Sequence, residues 1–402
     1  MTPLLISRYT ATSCIGTGLD TTRDALKHCR SGLRQCDFES VTLDTWIGRV
    51  PGLERMTLLP ALADYDCRNN RLALLGLMQD GFIDAAIAAV QRHGAQRVAV
   101  LLGTSTSGIL ETELAYRHRD PVTGALPAEF HYRGSHNIFS VAEFVRQAIG
   151  AAGPAWVIST ACSSSAKVFA SAARLLNAGL IDAAIVGGVD SLCLTTLYGF
   201  NSLELVAPEP CRPYDPERSG ISIGEAAAFA LLERAPDTLP ADAILLAGYG
   251  ESSDAHHMSS PHPQGLGARM AMEQALAGAG LSPGQIDYIN LHGTGTRGND
   301  SAEGLAIKTL FDHPPPSSST KGATGHALGA AGGLEAVFCA LALADGLIPG
   351  SPGTRTLDPS IDIDYRIRPQ PARLGHVLSN SLGFGGTNCS LVFSRADART
   401  EP

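Results

Sequence analysis

The residue with the clearest chemical potential in this 402-residue chain is Cys162. It lies in residues 159–166, Ser-Thr-Ala-Cys-Ser-Ser-Ser-Ala, between an apolar run that ends at Ile158 and a long alanine-rich stretch. This pattern predicts a strand that leads into a helix, with the thiol in the first helical turn. A helix N-terminus favours a thiolate through its dipole and its unpaired N–H groups. Cys162 is therefore a candidate nucleophile.

Three later segments carry further candidates for chemistry. His292 lies in residues 290–296, Asn-Leu-His-Gly-Thr-Gly-Thr. Lys321 and His326 open and close residues 321–326, Lys-Gly-Ala-Thr-Gly-His, and Phe384 lies in residues 380–388, Asn-Ser-Leu-Gly-Phe-Gly-Gly-Thr-Asn. One cysteine and two histidines in loops rich in glycine and threonine supply a nucleophile with two bases or hydrogen-bond donors.

The order and the amino-acid sequences of these four segments resemble those of the β-ketoacyl-acyl-carrier-protein synthases of the elongating type. The resemblance covers nearly the whole chain. The resemblance implies a decarboxylative Claisen condensation. An acyl group held on Cys162 would react with the carbanion that malonyl-acyl carrier protein forms as it loses CO2, giving a 3-oxoacyl product. Decarboxylation supplies the carbanion, so no metal and no other cofactor is expected. Both substrates would arrive on the phosphopantetheine arm of an acyl carrier protein.

The resemblance also implies roles for other residues. The backbone N–H groups of Cys162 and Phe384 would form an oxyanion hole, and Phe384 would also act as a gate. His292 and His326 would stabilise the enolate. A buried lysine needs a carboxylate, and the implied partner of Lys321 is Glu335. The remaining implied residues are Asp300 and Glu303 in the same charge network, Thr294 and Thr296 along the pantetheine arm, and Thr106 and Phe200 in the substrate pocket.

The chain departs from the fatty-acid enzymes at several positions. Ser219, Ile221 and Ala226 replace an aspartate, a phenylalanine and a glycine. Glu204 falls near a family arginine that helps to dock the carrier, which leaves Arg68 and Arg71 as the docking candidates. The hydroxyl of Thr106 suggests a pocket that is not tuned only for saturated alkyl chains. Together these changes favour a specialised synthase, similar to those of polyene pigments such as aryl polyenes.

Composition restricts the class of protein further. The chain is 44% hydrophobic and 17% charged, which suits a large buried core, and its net charge of −9 argues against nucleic-acid binding. Nine scattered cysteines without a Cys-x-x-Cys pair indicate neither a zinc site nor a disulfide framework, and they fit a reducing cytoplasm. No signal peptide is expected, because the N-terminus lacks a basic region followed by a long apolar core. No transmembrane segment is expected, because no apolar run approaches ~18 residues.

Strand-like runs, such as residues 97–102 and 183–188, alternate with alanine-rich helical patterns and predict an α/β fold. The best internal boundary is residues 234–240, which contain two prolines. The resemblance implies a thiolase-like five-layer αβαβα sandwich of two similar halves. Residues 1–238 would carry the nucleophile, and residues 239–402 would carry the histidines, the lysine and the glycine-rich loop. It also implies a homodimer, with a heterodimer of related subunits as the alternative.

Two other functions compete with this interpretation. A degradative thiolase shares the fold but uses a cysteine near the C-terminus as its second base, whereas His326 and residues 383–387 favour decarboxylative condensation. The other is a catalytic subunit that needs a partner resembling a chain length factor. A non-catalytic partner subunit is disfavoured because such subunits lack the nucleophilic cysteine.

Overall fold

The computed structural model describes residues 1–399 of the chain. The strands of this part are β1 Leu4–Ser13, β2 Gly16–Thr17, β3 Arg34–Gln35, β4 Trp46–Gly48, β5 Val98–Gly103, β6 Ala155–Ile158, β7 Ala183–Asp190, β8 Ile223–Gly224, β9 Ala226–Arg234, β10 Ile244–Ser253, β11 Tyr288–Asn290, β12 Ser317–Ser318, β13 Leu347–Ile348, β14 Gln370–Pro371, β15 His376–Gly383 and β16 Thr387–Arg395. The helices are α1 Leu19–Lys27, α2 Arg68–Leu77, α3 Phe82–His93, α4 Ile109–Arg117, α5 Ser140–Ala148, α6 Ser164–Asn177, α7 Leu194–Ser202, α8 Leu266–Ala279, α9 Arg297–Leu310, α10 Lys321–Thr324 and α11 Ala331–Asp345.

The main sheet contains the same strand arrangement twice. Its order is β12-β11-β15-β16-β10-β1-β9-β7-β5-β6. In one half β5 pairs in parallel with β6 and β7, and β9 runs antiparallel to both β7 and β1. In the other half β11 pairs in parallel with β12 and β15, and β16 runs antiparallel to both β15 and β10. The two halves join where β1 pairs with β10, and the predicted division at residue 238 falls in the loop between β9 and β10.

Helices separate and cover the two halves of the sheet. Helices α6 and α11 contact each other and contact strands of both halves, so they form the central layer. Helices α2 and α5 cover the first half from outside, and α8 covers the second half. Strands β5 and β7 are buried along their whole length, which explains their continuous apolar sequence. The predicted thiolase-like layering of two similar halves is confirmed.

One apolar helical stretch passes a length and composition test for a membrane span. It is Leu328–Asp345, which contains α11, and 89% of it is buried inside the structure. The bent pair α2 and α3 passes the same test only when both helices are counted as one span. Helix α11 is apolar on all sides because the two halves of the sheet and α6 surround it.

Candidate active site

Cys162 lies in the tight turn between β6 and α6. The preceding residue, Ala161, has φ of 53°, a left-handed conformation that a residue with a side chain seldom adopts. Strand β5 ends beside this turn at Gly103, where an added Cβ would lie 2.3 Å from the backbone nitrogen of Ser165. Glycine there lets the strand pack directly against the start of α6. The turn therefore holds the thiol in a fixed place, with Cys162 only 5% exposed.

The protonation state of Cys162 differs from the sequence-based expectation. Burial raises the pKa of its thiol to about 12, while the charge of Lys321 lowers the pKa and that of Asp190 raises it. The N–H of Phe384 donates to the sulfur and favours the thiolate. Because burial outweighs these contributions, the resting group is a thiol. It needs a base, and His326 Nε2 lies 2.9 Å from Cys162 Sγ.

His292 completes the group of reactive side chains. The His292 and His326 rings meet edge to face with centroids 5.3 Å apart, and both residues are 2% exposed. Lys321 Nζ lies 3.4 Å from His292 Nδ1 and also donates to the carbonyl oxygen of His292. An ammonium group only donates hydrogen bonds, so Nδ1 accepts and the proton of neutral His292 resides on Nε2. His292 can therefore donate a hydrogen bond into the cavity.

The predicted pair of Lys321 and Glu335 is present in the structure. Their side chains are 1% and 3% exposed, and Lys321 Nζ donates to Glu335 Oε1. Burial raises the pKa of Glu335 to about 7, and the charge of Lys321 opposes this rise. Glu335 lies on α11 and Lys321 on α10, so the pair connects the central helix to the loop of His292.

Asp300 and Glu303 hold the backbone of the His292 loop and do not contact Lys321 directly. Glu303 accepts hydrogen bonds from the N–H groups of His292 at 2.8 Å and Gly293 at 2.9 Å. Asp300 accepts one from the N–H of Gly295 at 3.3 Å. Both acids lie in the first half of α9, so this helix fixes the loop that precedes it.

A cleft opens onto the reactive residues. Phe200 and Phe384 stand on its wall with ring centroids 5.7 Å apart, and the hydroxyls of Thr294 and Thr296 are 2.9 Å apart. Gly385, which follows Phe384, has φ of 77°, so glycine suits the turn that presents Phe384. The predicted site residues that line this cleft are Cys162, Phe200, His292, Thr294, Thr296, His326 and Phe384.

The interpretation of Thr106 as a pocket hydroxyl was wrong. Thr106 is fully buried, lies outside the described wall of the cleft, and donates its hydroxyl proton to Asp190 Oδ1 at 2.7 Å. The same carboxylate oxygen accepts hydrogen bonds from the hydroxyl of Thr104 and from the N–H of Ser105. The Thr106 hydroxyl is therefore hydrogen-bonded within the protein core and does not face the cleft where an acyl chain would bind.

The assignment of Arg68 to carrier docking was also wrong. Its guanidinium donates to buried Glu225 at 2.6 Å and 2.9 Å and to Glu54 at 2.8 Å, and its side chain is 7% exposed. Arg71 is 31% exposed and forms an ion pair with Asp66 on the surface. Arg68 belongs to the core, and the charge of Arg71 is already balanced by a neighbouring acid.

Replacing Arg68 by alanine is expected to destabilise the fold and to leave carrier recognition unchanged. The free energy of unfolding should fall by roughly 3–5 kcal/mol, because Glu225 would keep a buried charge without its partner. Urea denaturation measures the loss, and Arg71→Ala is the control, with a change below about 1 kcal/mol because its ion pair is exposed. If the Arg68→Ala variant kept its stability and its KM for the carrier rose, the result would contradict this prediction and would support a role of Arg68 in carrier docking.

Two buried acids were missed in the sequence. Asp190 is the last residue of β7. Besides the hydrogen bonds from residues 104–106, its carboxylate accepts one from the N–H of Ala330, which follows His326 closely in the chain. Glu225 lies between β8 and β9 and accepts hydrogen bonds from the N–H groups of Val50 and Leu192. The available signal was a single acid at one end of a long apolar run, after the run for Asp190 and before it for Glu225. Such an acid predicts a carboxylate that is buried with its hydrogen-bond donors.

Cys162, His292 and His326 also offer ligand atoms within 4.8 Å of one another, a spacing that a metal ion could use. The ammonium of Lys321 beside His292 opposes a second cation at this place. That the site works without a metal stays a prediction.

The resting charge of the two histidines gives a testable dependence of stability on pH. Burial lowers the pKa of both imidazoles well below the usual value, and the charge of Lys321 adds to this effect. Below pH ~6.5 the unfolded chain binds protons that the folded chain does not, so stability should fall as pH decreases. Each histidine should contribute up to about 1.4 kcal/mol per pH unit.

Chemical denaturation at pH 7.5 and pH 5.5 measures this effect. The control is the double variant His292→Asn, His326→Asn, which should lose less stability between the two pH values. Equal losses in the two proteins would show that the imidazoles take up protons in the native state as readily as in the unfolded chain.

The sequence models of two β-ketoacyl synthase domains match the chain, the N-terminal domain at residues 69–238 and the C-terminal domain at residues 244–355. Nodulation protein E of Rhizobium meliloti (strain 1021) is 33% identical over 351 residues, which cover 83% of this chain and 86% of the relative. The 3-oxoacyl-[acyl-carrier-protein] synthase 2 of the same organism is 39% identical over 260 residues, 60% of this chain and 61% of the relative.

Solved structures agree with this result. A chain in the complex of the ketosynthase ApeO with its chain length factor ApeC from Xenorhabdus doucetiae is 38% identical, with a TM-score of 0.89 and 98% of each chain covered. A chain of the ishigamide ketosynthase/chain length factor is 26% identical, with a TM-score of 0.88 and coverage of 98% and 99%. The protein described here belongs to the β-ketoacyl synthase family. It is an acyltransferase that condenses an acyl group with malonyl-acyl carrier protein in fatty-acid or polyketide biosynthesis.

Proposed function

We propose that Cys162 accepts the acyl group and that His326 is its base. The observation that carries this proposal is the 2.9 Å contact between Cys162 Sγ and His326 Nε2, next to the N–H of Phe384. The thiol proton passes to His326 as the sulfur attacks the carrier thioester. The N–H groups of Cys162 and Phe384 stabilise the oxyanion. The carrier thiol then leaves with that proton.

His292 and His326 act together in the second step. Malonyl-acyl carrier protein occupies the cleft, and Nε2–H of His292 donates to its thioester oxygen. Loss of CO2 leaves the C–C electron pair in an enolate, which attacks the thioester carbonyl on Cys162. The C–C bond forms and the C–S bond breaks. The thiolate that leaves takes up a proton from solvent through His326 Nε2, which lies beside the sulfur, so the step consumes one proton. The step uses no metal or redox cofactor because decarboxylation itself supplies the carbanion.

The finer pathway that we propose is polyene-type polyketide synthesis, with an aryl polyene as the first candidate product. Ser219, Ile221 and Ala226 depart from the fatty-acid enzymes, and the structures with 38% and 26% identity include ketosynthases with chain length factors. The carrier would dock at the mouth of the cleft, where Thr294 and Thr296 receive the pantetheine arm. A cytoplasmic location fits the nine free thiols.

The assembly that we propose is a dimer formed along the edge of the main sheet at β6. Among the described strands β6 pairs only with β5, and its residues Ala-Trp-Val-Ile are all half-buried. An apolar edge strand without a charged residue is a template for a strand of another chain. A second copy of this chain carries the same edge strand and could supply the partner strand. Because similar ketosynthases are found in complex with a chain length factor, the heterodimer is the first assembly to test.

Intact-mass spectrometry of the purified chain, together with sedimentation, tests the proposal. The chain is exposed to carrier proteins loaded with short, long, unsaturated and aryl-acyl groups, with Cys162→Ala as the control. A dimer that takes adducts only at Cys162, with a preference for unsaturated or aryl groups, supports a homodimeric polyene-type enzyme. A monomer without adducts that becomes acylated when a chain length factor is added supports the heterodimer. Adducts in the Cys162→Ala variant would overturn the nucleophile assignment.

A further inference from the structure

Tyr214 adopts a strained backbone conformation beside the catalytic loop. It lies between α7 and β8, is fully buried, and has φ of 63°. A bulky residue in the left-handed region is an outlier that persists only where its surroundings hold it. The backbone groups supply part of this hold, because the carbonyl of Tyr214 accepts a hydrogen bond from the N–H of Asp358 at 2.8 Å.

Tyr214 contacts both acids that fix the loop of His292. Its backbone N–H donates to Asp300 Oδ2 at 2.8 Å, and its hydroxyl donates to Glu303 Oε2 at 3.0 Å. Glu303 in turn accepts the N–H groups of His292 and Gly293. Tyr214 is therefore connected to both ends of the loop at residues 292–295. Glu303 connects it to residues 292–293, and Asp300 connects it to Gly295.

The phenol ring also packs directly against this loop. A Cβ added at Gly293 would lie 3.2 Å from Tyr214 Cε2, so the ring edge borders the residue after His292. On its other side the ring packs against Tyr365, with centroids 4.9 Å apart. Glu303 is fully buried and accepts a fourth hydrogen bond, from Asn380 Nδ2, at 3.1 Å. A buried carboxylate without donors is costly, so each of these four donors stabilises Glu303.

We propose that Tyr214 is a positioning residue for the malonyl half-reaction. Its hydroxyl holds Glu303, and Glu303 holds the backbone of His292 so that Nε2–H points at the malonyl thioester oxygen. The inference rests on the proposed role of His292. It concerns only the second step, because Cys162 and His326 are held by the β6–α6 turn and by the segment that follows α10.

The variant Tyr214→Phe tests this inference because it removes the hydroxyl and keeps the ring and both backbone hydrogen bonds. The matched control is Tyr365→Phe, which removes the hydroxyl that donates to the carbonyl of Pro213 at 3.0 Å and leaves Glu303 untouched. Two rates are measured in the full-length chain with its carrier. The first is acylation of Cys162, followed by intact mass, and the second is CO2 release from malonyl-acyl carrier protein.

We expect Tyr214→Phe to lower the rate of CO2 release roughly tenfold and to change the rate of acylation less than about twofold, as the loss of one hydrogen bond to a carboxylate would do. Tyr365→Phe should leave both rates near those of the wild type, with a similar melting temperature for the two variants. The inference would be overturned if Tyr365→Phe lowered CO2 release as much as Tyr214→Phe does. It would also be overturned if Tyr214→Phe lowered acylation and CO2 release by the same factor. Failure of the wild-type chain to release CO2, alone and with a chain length factor, would refute the proposed function instead.

Discussion

Alanine in place of Cys162 is expected to abolish condensation while the chain stays folded. The thiol is the group that accepts the acyl chain, and its removal leaves only the oxyanion donors and the histidines. Product formation should fall at least about 1,000-fold. The side chain is small and almost fully buried, so the free energy of unfolding should change by less than about 2 kcal/mol. Radiolabelled malonyl-acyl carrier protein with an acyl-carrier primer measures the product.

Glutamine at the same position separates the two half-reactions. The amide side chain occupies the place of an acylated thiol, so Cys162→Gln should retain or exceed the wild-type release of CO2 from malonyl-acyl carrier protein while forming no condensation product. The alanine variant is the control, and CO2 release at the same rate in both variants would argue against this mimicry. Unchanged product formation by the alanine variant would refute the assignment of Cys162 as nucleophile.

The second large effect is expected from Lys321→Met. The substitution leaves Glu335 buried on α11 without its cation, which should lower the free energy of unfolding by roughly 3–5 kcal/mol at pH 8. It also removes the donor at His292 Nδ1, so the imidazole can change tautomer, and condensation should fall at least about 100-fold. Denaturant unfolding and the condensation assay measure the two losses.

The loss of stability should be smaller at pH 6. The pKa of Glu335 is already raised to about 7 by burial, and removal of Lys321 should raise it further. The folded variant then binds a proton that the unfolded chain releases above pH ~4.5, so its stability decreases as pH rises. The double variant Lys321→Met, Glu335→Gln is the control and should lose this pH dependence. A small loss that is the same at both pH values would show that the pair is solvated.

The α/β class could be predicted from the sequence because its signals are local, whereas the five-layer arrangement of two similar halves came from the family resemblance. A continuous apolar run identifies a strand buried on both faces, such as β5 or β7, wherever the neighbouring strands lie. The alanine-rich stretch after Cys162 likewise predicted α6. A lysine among small residues needs a carboxylate when it is buried, and the family resemblance gave Glu335 as the carboxylate that pairs with Lys321.

Residues whose roles depend on distant partners could not be predicted in this way. An arginine such as Arg68 is ordinarily a surface cation. Its buried partner, Glu225, lies 157 positions further along the chain, so the sequence around Arg68 does not reveal the pair. The hydroxyl of Thr106 appeared free for substrate until the fold placed Asp190, 84 positions away, within 2.7 Å. Nothing near Tyr214 in the sequence indicates that its hydroxyl meets Glu303, 89 positions away. Each contact crosses between elements that only the assembled layers bring together.

The sequence by itself determined which residues carry the chemistry: a cysteine at the junction of a strand and a helix, two histidines and a lysine in glycine-rich loops. The tertiary structure decided their protonation states. A helix N-terminus, read locally, favours a thiolate at Cys162, but the surrounding layers remove the sulfur from water and raise its pKa to about 12. The same burial keeps His292 and His326 neutral. Desolvation depends on everything that packs around a group, and the order of residues along the chain does not contain that information directly.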